Sequence, residues 1–360
     1  MTLKGQKNHY NVKLLRGYGV SVSLKNNKVC LKGGKDIFTG QQQVEEWFVT
    51  QIPYERIVIS GKGYISTEAL KLLTEKNINV ILTDTYGNLI TAMHQVMSSP
   101  TATNHRMAQY DTFRNPEKVA YLQKQLLRSK LESQITFLQS IQRPEVQEAI
   151  DGLTSYRAKI ENARDKRDLL TIESRAGHLY FRNYAKLFNE KYRFLSRHGG
   201  GISLSNRYAS DVINGLLNYG YTVLAGEIAK YVNGMGLDPY YGFFHTMHTS
   251  FRALVYDLIE PFRWLVESAV YKLAVEEPTH GRMIKKSEYA WTREGKVILD
   301  TGLIGRFLEL LERRFQFERL YEFKHGIKRR DGMSMCQEIT IAKIAVQNMM
   351  VFCTEGRVSS

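Results

Sequence analysis

The chain has 360 residues, which is long enough for two domains with buried cores. Hydrophobic residues make up 43% of the sequence, but no run of roughly 18 apolar residues occurs, so a membrane-spanning helix is not expected. The 50 lysines and arginines exceed the 36 aspartates and glutamates, giving a formal net charge of +14. This excess favours an anionic partner, above all the phosphate backbone of nucleic acid.

The three cysteines, Cys30, Cys336 and Cys353, are widely spaced and odd in number. That usage argues against a disulfide framework or a zinc ribbon and is typical of small buried side chains in a reducing compartment. The opening residues, MTLKGQKNHYNVK, lack the apolar segment of a secretory signal. We therefore expect a cytoplasmic protein with no membrane association.

The first hundred residues carry the pattern of a β-rich domain. VSVSL alternates, KNN turns, and KVCLK returns, which predicts a hairpin. Two apolar runs, RIVIS and NVILTD, predict buried strands, with a helix capped by Ser66 between them and a further strand in YGNLITAM. GKGYIST lacks phosphate-loop spacing, so we interpret it as a turn from strand to helix. Residues 1–35 contain eight Lys/Arg and no Asp/Glu, which predicts an exposed basic sheet edge.

Small polar residues and a proline, SSPTATN, predict a linker at residues 99–105. Beyond it, apolar residues recur at three- and four-residue spacings, the pattern of amphipathic helices. Examples are EKVAYLQKQLLRSKLESQITFLQSI and LIGRFLELLERRFQFERLYEF. We predict an α+β protein in which a β-rich domain at residues 1–98 precedes a larger, all-α domain at residues 106–360.

Two carboxylates stand out on the predicted helix from Phe251 to about Tyr271. Asp257 and Glu260 are three residues apart and share one helix face. Pro261 removes a backbone donor, so the helix should bend beside both acids and turn them toward a cleft. The alternative is an ordinary acidic pair on a solvated face, with Arg263 as partner.

His245 precedes these acids on an apolar, glycine-containing stretch, and His248 follows it three residues later as a competitor. Glu173 lies elsewhere, on a predicted apolar helix face where an unpaired glutamate would be costly. It could instead be a first-turn glutamate favoured by the helix dipole. Imidazole and carboxylate ligands suit a divalent metal, so the sequence suggests a metal-dependent enzyme that acts on nucleic acid.

Two basic clusters could contact phosphates, although each could also be a solvated face. They are KYRFLSRHGGG at 191–201, with Lys191 and Arg193, and KHGIKRR at 324–330, with Lys328, Arg329 and Arg330. Aromatic residues do not interleave with the charges at regular spacing, so we expect recognition of the DNA backbone rather than of bases.

Five motifs occur in a distinctive order along the chain. The first is RIVISGKGYISTEALKLLTEKNINVILTDTYGNLI, and it is followed by ESRAGHLYF, SDVINGLLNYGY, GLDPYYGFFH and DLIEPFR. In this order the chain resembles the CRISPR-associated integrase and endonuclease family, the first of the two adaptation proteins common to most CRISPR systems. The resemblance covers nearly the whole chain. GLDPxxGFxH followed by DLxEPFR is its most specific part.

This resemblance implies a DNA endonuclease and integrase that inserts DNA fragments into a CRISPR array. It implies Mg²⁺ or Mn²⁺ held by the catalytic residues Glu173, His245 and Glu260, where His245 is preferred over His248 because it ends the GFFH motif. It also implies a homodimer, a β domain that contributes to dimerisation and DNA contact, and the second adaptation protein as a partner. Positions that match family motifs, with supporting or DNA-contacting roles, are Asp257, Tyr180, Arg207, Asp211, Asn214, Tyr219 and Arg263.

Two departures from the family pattern are Val212, where proline is common, and Gly177, where alanine is usual. The segment after His245 also lacks the usual glycine and serine. Two other functions fit the same residues. One is a transposon-encoded integrase of this family, which terminal inverted repeats beside the gene would reveal. The other is a non-catalytic DNA-binding scaffold, which metal-dependent cleavage of DNA would exclude.

Overall fold

The computed structural model describes residues 11–35, 40–94, 100–197, 208–245, 252–275, 283–323 and 332–356. The predicted fold class is confirmed: a sheet near the N-terminus is followed by a mostly helical region. Within these ranges no helix is both long and apolar enough to cross a lipid bilayer. Cys30, Cys336 and Cys353 are all free thiols.

Six strands form the N-terminal sheet, in the order β3-β2-β1-β4-β5-β6. The central strands β1, β4 and β5 are parallel, and the remaining pairs are antiparallel. The side chain of Ser66 accepts a hydrogen bond from the Ala69 amide and caps helix α1 (Thr67–Glu75), which connects β4 to β5. The strands are β1 (Val12–Lys25), β2 (Lys28–Lys32), β3 (Val44–Phe48), β4 (Arg56–Ile65), β5 (Asn79–Thr83) and β6 (Leu89–Met93).

The predicted hairpin and the predicted strands are confirmed, but the prediction of a turn in GKGYIST was wrong. Gly61 to Ile65 continue strand β4, alongside residues Gly17 to Val22 of β1. A Cβ atom on Gly63 would lie 1.7 Å from the Val20 carbonyl oxygen, so the two backbones approach too closely for any other residue. The glycines therefore mark close strand pairing rather than the end of the strand.

The sheet is covered on both faces. Ile57, Ile59 and Val80 pack with Leu73 of α1 on one face, while the alternating residues Val58 and Ile81 join the larger helical core. Helices α6 and α9 supply that second layer against the sheet. The sheet and the helices thus share one apolar interface.

The helical region is organised around α6 (Val212–Gly234), in which 18 of 23 residues are buried. A helix that is apolar on every side must be surrounded by other elements, and α6 contacts the sheet, α7, α8 and α10. The other helices are α2 (Pro100–Arg114), α3 (Pro116–Ile141), α4 (Gln147–Lys159), α5 (Lys166–Ala185), α7 (Ala253–Ile259), α8 (Arg263–Ala274), α9 (Thr301–Phe315) and α10 (Glu338–Glu355). Two small antiparallel pairs accompany them: β7 (Tyr289–Trp291) with β8 (Val297–Leu299), and β9 (Glu318–Phe323) with β10 (Gly332–Gln337).

Two predicted boundaries were wrong. The predicted linker at 99–105 lies, from Pro100 onward, in α2, because proline is tolerated in a first helical turn and Ala102 is buried against Gly236. The helix predicted from Leu303 to Phe323 ends at Phe315, and the rest of it forms β9, paired with a strand that local periodicity could not reveal.

The expected basic sheet edge is not wholly exposed. Lys13 and Arg16 of β1 are each 8% exposed. Lys13 forms an ion pair with Glu45, and Arg16 donates a hydrogen bond to the carbonyl of Leu299. Lys13 therefore contacts β3 within the sheet and Arg16 contacts β8 outside it, so part of the positive charge near the N-terminus does not face solvent.

A buried charge cluster fastens the sheet to the helical layer. Arg56, at the start of β4, forms an ion pair through Nε with Glu227 of α6 at 2.8 Å and donates a hydrogen bond through a terminal nitrogen to Glu312 of α9. The Asn79 amide donates a further hydrogen bond to Glu227 at 2.8 Å. All three charged side chains are at most 4% exposed, so each depends on the others for a counter-ion.

We expect Arg56→Met to lower the free energy of unfolding by about 3–5 kcal/mol, because it leaves Glu227 and Glu312 buried without a counter-ion. Urea denaturation followed by circular dichroism measures the loss. Glu55→Gln is the matched control: Glu55 is 59% exposed and 3.9 Å from Arg56, so its removal should cost less than about 1 kcal/mol. Equal stability of the two variants would show that the cluster does not hold the sheet.

Candidate active site

The predicted break beside the two acids is present. Helix α7 ends at Ile259, a 3₁₀ turn covers Glu260–Phe262, and α8 begins at Arg263. Pro261 cannot donate the hydrogen bond that a continuous helix requires at this position. Asp257 and Glu260 are 0% and 5% exposed, so the alternative of a solvated acidic pair was wrong.

Asp257 organises the loop that carries His245. Its carboxylate accepts hydrogen bonds from the backbone amides of Phe243, Phe244 and His245 at 2.8–3.0 Å. It also contacts Nδ1 of His245 at 2.6 Å. A Cβ atom on Gly242 would lie 2.6 Å from the Asp257 carboxylate, so glycine is needed for the loop to come this close.

His245 is held in the orientation expected of a metal ligand. Its side chain is 32% exposed and stands against the buried carboxylate of Asp257. Burial lowers the pKa of His245, but the hydrogen bond to Asp257 and the nearby carboxylates of Asp257, Glu260 and Glu173 outweigh burial and raise it. Because Nδ1 contacts Asp257, Nε2 is the nitrogen that would ligate a metal.

Glu173 approaches the same place from helix α5. It is the eighth residue of that helix, beyond the first turn, so the alternative of a helix-dipole glutamate was wrong. Lys130 of α3 joins it to Glu260: the lysine Nζ lies 2.7 Å from Oε1 of Glu173 and 2.6 Å from Oε2 of Glu260. Glu173, His245 and Glu260 thus converge from three separate parts of the chain.

Two cations keep Glu260 ionised. Arg263 Nη1 lies 2.9 Å from its Oε1, and Lys130 contacts its Oε2. Burial raises the pKa of Glu260, but Arg263, Lys130 and, more weakly, His245 lower it to about 2. The pKa of Lys130 is raised, since the attraction of Glu260 and Glu173 outweighs burial, which lowers it. Both groups are therefore charged at neutral pH.

A buried hydrogen-bond network lies behind Arg263. The guanidinium stacks over the ring of Tyr221, with its central carbon 4.0 Å from the ring centroid. The hydroxyls of Tyr221, at 2.7 Å, and Tyr180 donate to the carboxylate of Glu267, which is fully buried. Tyr180, predicted near the metal, therefore supports α8 through Glu267.

The described residues contain no group of three His, Cys, Asp or Glu side chains that could hold a metal ion as they stand. In this arrangement the ammonium of Lys130 lies between the carboxylates of Glu173 and Glu260. Those carboxylates already share one cation. The negative charges of both carboxylates also act on His245. Two carboxylates and one imidazole are the donor set of a divalent metal, so the residues fit a metal once the ammonium moves away.

The predicted DNA-binding residues differ in their exposure to solvent, and several lie outside the described residues. Lys191 and Arg193 are exposed, as a contact with phosphates requires. Asn214 is 3% exposed and bonds Asp211, Arg197 and the Ser196 carbonyl, so it holds the start of α6 here, and its contact with DNA stays a prediction. Asp211 caps α6, and Tyr219 is buried. Arg207, His248, Lys328, Arg329 and Arg330 lie outside the described residues.

Sequence reasoning missed three residues that shape this site: Lys130, Gly242 and Gln123, whose amide donates to the Phe243 carbonyl at 2.6 Å. A signal existed for two of them. Lys130 and Gln123 occupy the apolar stripe of α3, among buried leucines such as Leu126, Leu127 and Leu131. Polar side chains on such a stripe need a buried partner.

Comparisons with known proteins agree with this arrangement. The model of the family described as CRISPR associated protein Cas1 matches residues 14–313. The chain is 31% identical over 236 residues to the CRISPR-associated endonuclease Cas1 1 of Archaeoglobus fulgidus; the match covers 60% of this chain and 66% of that protein.

Two solved structures share the fold. A casposase bound to its integration product superposes with a TM-score of 0.80 at 24% identity, over 96% of this chain and 91% of that one. A chain of a Cas6-RT-Cas1–Cas2 complex superposes with a TM-score of 0.73 at 19% identity, over 99% of this chain but 36% of the other. The family match spans the sheet, both acids of the kinked helix and the histidine loop, and on that basis the chain belongs to the Cas1 family of CRISPR-associated proteins.

Proposed function

We propose that this protein is a metal-dependent DNA endonuclease and integrase that inserts short DNA fragments into a CRISPR array. The observation that carries the proposal is the convergence of Glu173, His245 and Glu260, with Asp257 buried behind the histidine, in a chain of the Cas1 family. In this reaction a 3′-hydroxyl of the incoming DNA bonds to a target phosphorus. The bond between the target phosphorus and its original 3′-oxygen breaks. The attacking hydroxyl loses its proton, and the released 3′-oxygen takes one up. Water in place of the hydroxyl gives cleavage at the same site.

Glu173, Glu260 and Nε2 of His245 would hold a Mg²⁺ or Mn²⁺ ion. When bound, the metal polarises the phosphodiester and stabilises the negative charge that develops during transfer. The chain itself fixes the ligands beforehand: Arg263 holds Glu260 at 2.9 Å, and Asp257 holds the ring of His245 at 2.6 Å. Ligands that are held in place need little rearrangement when substrate binds.

Positive charge supports binding to the DNA backbone. The net charge of +14 attracts phosphates over long range, and the exposed Lys191 and Arg193 offer direct contacts. Each lysine or arginine that neutralises a phosphate releases a counter-ion, so binding should weaken steeply as salt rises.

Assembly is part of the proposal. A solved complex that shares this fold contains a Cas1 chain together with Cas2, so we infer the second adaptation protein as a partner. We also infer a homodimer, as the family resemblance implies. Sedimentation of the purified chain, alone and mixed with the second protein from the same locus, tests both.

The test of the function is strand transfer of a labelled duplex with free 3′-hydroxyls into a supercoiled plasmid that carries a repeat array. Joining that requires Mg²⁺ or Mn²⁺ and stops with EDTA supports the integrase. Salt-sensitive DNA binding with neither joining nor metal-dependent cleavage, even with the second adaptation protein added, would instead support a scaffold.

We expect Glu173→Gln, His245→Ala and Glu260→Gln each to reduce strand transfer and cleavage by about a thousandfold or more, because a metal contributes several kcal/mol to phosphoryl transfer. DNA affinity, measured by filter binding, should change little. Glu148→Gln is the control, since Glu148 is exposed and forms its ion pairs with the exposed Arg182 and Lys186. Full activity in His245→Ala would contradict the assignment.

We expect Asp257→Asn to weaken Mn²⁺ binding by about 10- to 100-fold, because the amide cannot accept from three backbone N–H groups and orient His245 equally well. Isothermal titration calorimetry measures the change. Asp238→Asn is a useful comparison, since Asp238 also organises a turn near the loop but contacts Tyr110 and the Tyr240 amide instead of His245. Equal losses in both variants would mean that Asp257 acts only on folding.

A further inference from the structure

Lys130 is an element of the site that a metal-binding role does not explain. Its side chain is 14% exposed and lies on the buried stripe of α3, between Leu127 and Leu131. Its ammonium lies between two carboxylates, 2.7 Å from Glu173 and 2.6 Å from Glu260. A lysine in this position is held there by charge, since burial alone would oppose it.

The two carboxylates come from different elements, and Lys130 is what joins them. Glu173 lies on α5 and Glu260 at the break after α7. Arg263 occupies the other oxygen of Glu260, so Oε2 of Glu260 and Oε1 of Glu173 are the atoms brought together by the ammonium. Without a cation between them, two ionised carboxylates would repel each other in a place with little water.

A metal shared by the same carboxylates would occupy the same space. Oxygen ligands lie about 2.1 Å from Mg²⁺, so a bridging ion would sit between the oxygens that now contact Nζ. The ammonium and the metal cannot both occupy that position. The long, flexible stem of lysine allows its charged end to leave without any movement of the helix backbone.

We propose that Lys130 is a built-in counter-ion of the metal site: its ammonium bridges Glu173 and Glu260 in the metal-free protein and is displaced when the metal binds. This inference rests on the proposed metal site. The bridge keeps the ligand carboxylates in place before metal arrives. It also lowers metal affinity, because the metal must first break two short ion pairs.

The first test measures Mn²⁺ binding by calorimetry in the full-length protein and in Lys130→Met, which keeps the stem and removes the charge. We expect the variant to bind Mn²⁺ at least about tenfold more tightly, since no ion pair has to be broken. In EDTA the variant should melt at a lower temperature than wild type, and Mn²⁺ should close most of that gap. Lys124→Met, on the same helix but paired with the Glu161 carbonyl at the surface, should leave both quantities unchanged.

The second test needs no substitution of Lys130. Reductive methylation of wild-type protein, read by peptide mass spectrometry, should spare Lys130 in EDTA and modify it several-fold faster at saturating Mn²⁺. In Glu173→Gln, labelling in EDTA should already be faster, because one of the two ion pairs is gone. This readout keeps the inference testable even if Lys130→Met does not fold.

The outcomes separate the two claims. If wild type binds Mn²⁺ and Glu173→Gln weakens that binding, the metal site stands. Unchanged or weaker binding in Lys130→Met, or unchanged protection of Lys130 at saturating Mn²⁺, would then overturn the displacement alone. If neither wild type nor Lys130→Met binds Mn²⁺, both the displacement and the proposed metal site fail.

Discussion

The constraint on which this site depends is the balance of charge in a space with little water. Glu260 is almost fully buried, Asp257 is completely so, and Glu173 is largely covered. An isolated buried carboxylate costs several kcal/mol, so each must find a cation or several hydrogen-bond donors. Lys130 and Arg263 serve Glu260, while three backbone amides and His245 serve Asp257. The positions of α3, α5, α7 and the histidine loop follow from these pairings.

A second buried charge cluster, formed by Arg56, Glu227 and Glu312, fastens the sheet to the helices. Helix α6 contacts both this cluster and the candidate active site. Tyr221 faces Arg263 and Glu267 behind the candidate active site, whereas Glu227 holds Arg56 at the sheet. The two residues are about 9 Å apart along the helix axis and about 120° apart around it, so they lie on different faces of the helix. Because α6 is buried on almost every side, it cannot shift to suit one cluster without straining the other. The sheet therefore takes part in positioning the site, although none of its strands supplies a predicted metal ligand.

Local pattern was enough to predict the features that local chemistry determines. The hairpin of β1 and β2, the Ser66 cap, helix α3 and the break at Pro261 all follow from periodicity or from one residue's geometry. Features that depend on distant partners could not be predicted in this way. β9 forms because β10 pairs with it, and residues 100–105 are helical partly because Ala102 packs on Gly236. Asn214 bonds Arg197 and the Ser196 carbonyl, and the sequence pattern gives no sign of these partners.

The same distinction explains which half of the site was predictable. The acids and the histidine lie in short motifs, so they can be identified from the sequence as candidate metal ligands. Arg263 shares the motif DLIEPFR with Glu260, but Lys130 lies outside these motifs, in an ordinary amphipathic helix, 43 residues before Glu173 and 130 before Glu260. A search for ligands considers only the state with metal bound, but the chain must also fold before metal arrives. A buried acidic site therefore requires a counter-ion of its own while no metal is bound. A lysine on the apolar stripe of a neighbouring helix suits this role, because its long, flexible stem can place the ammonium between the carboxylates and also move it away.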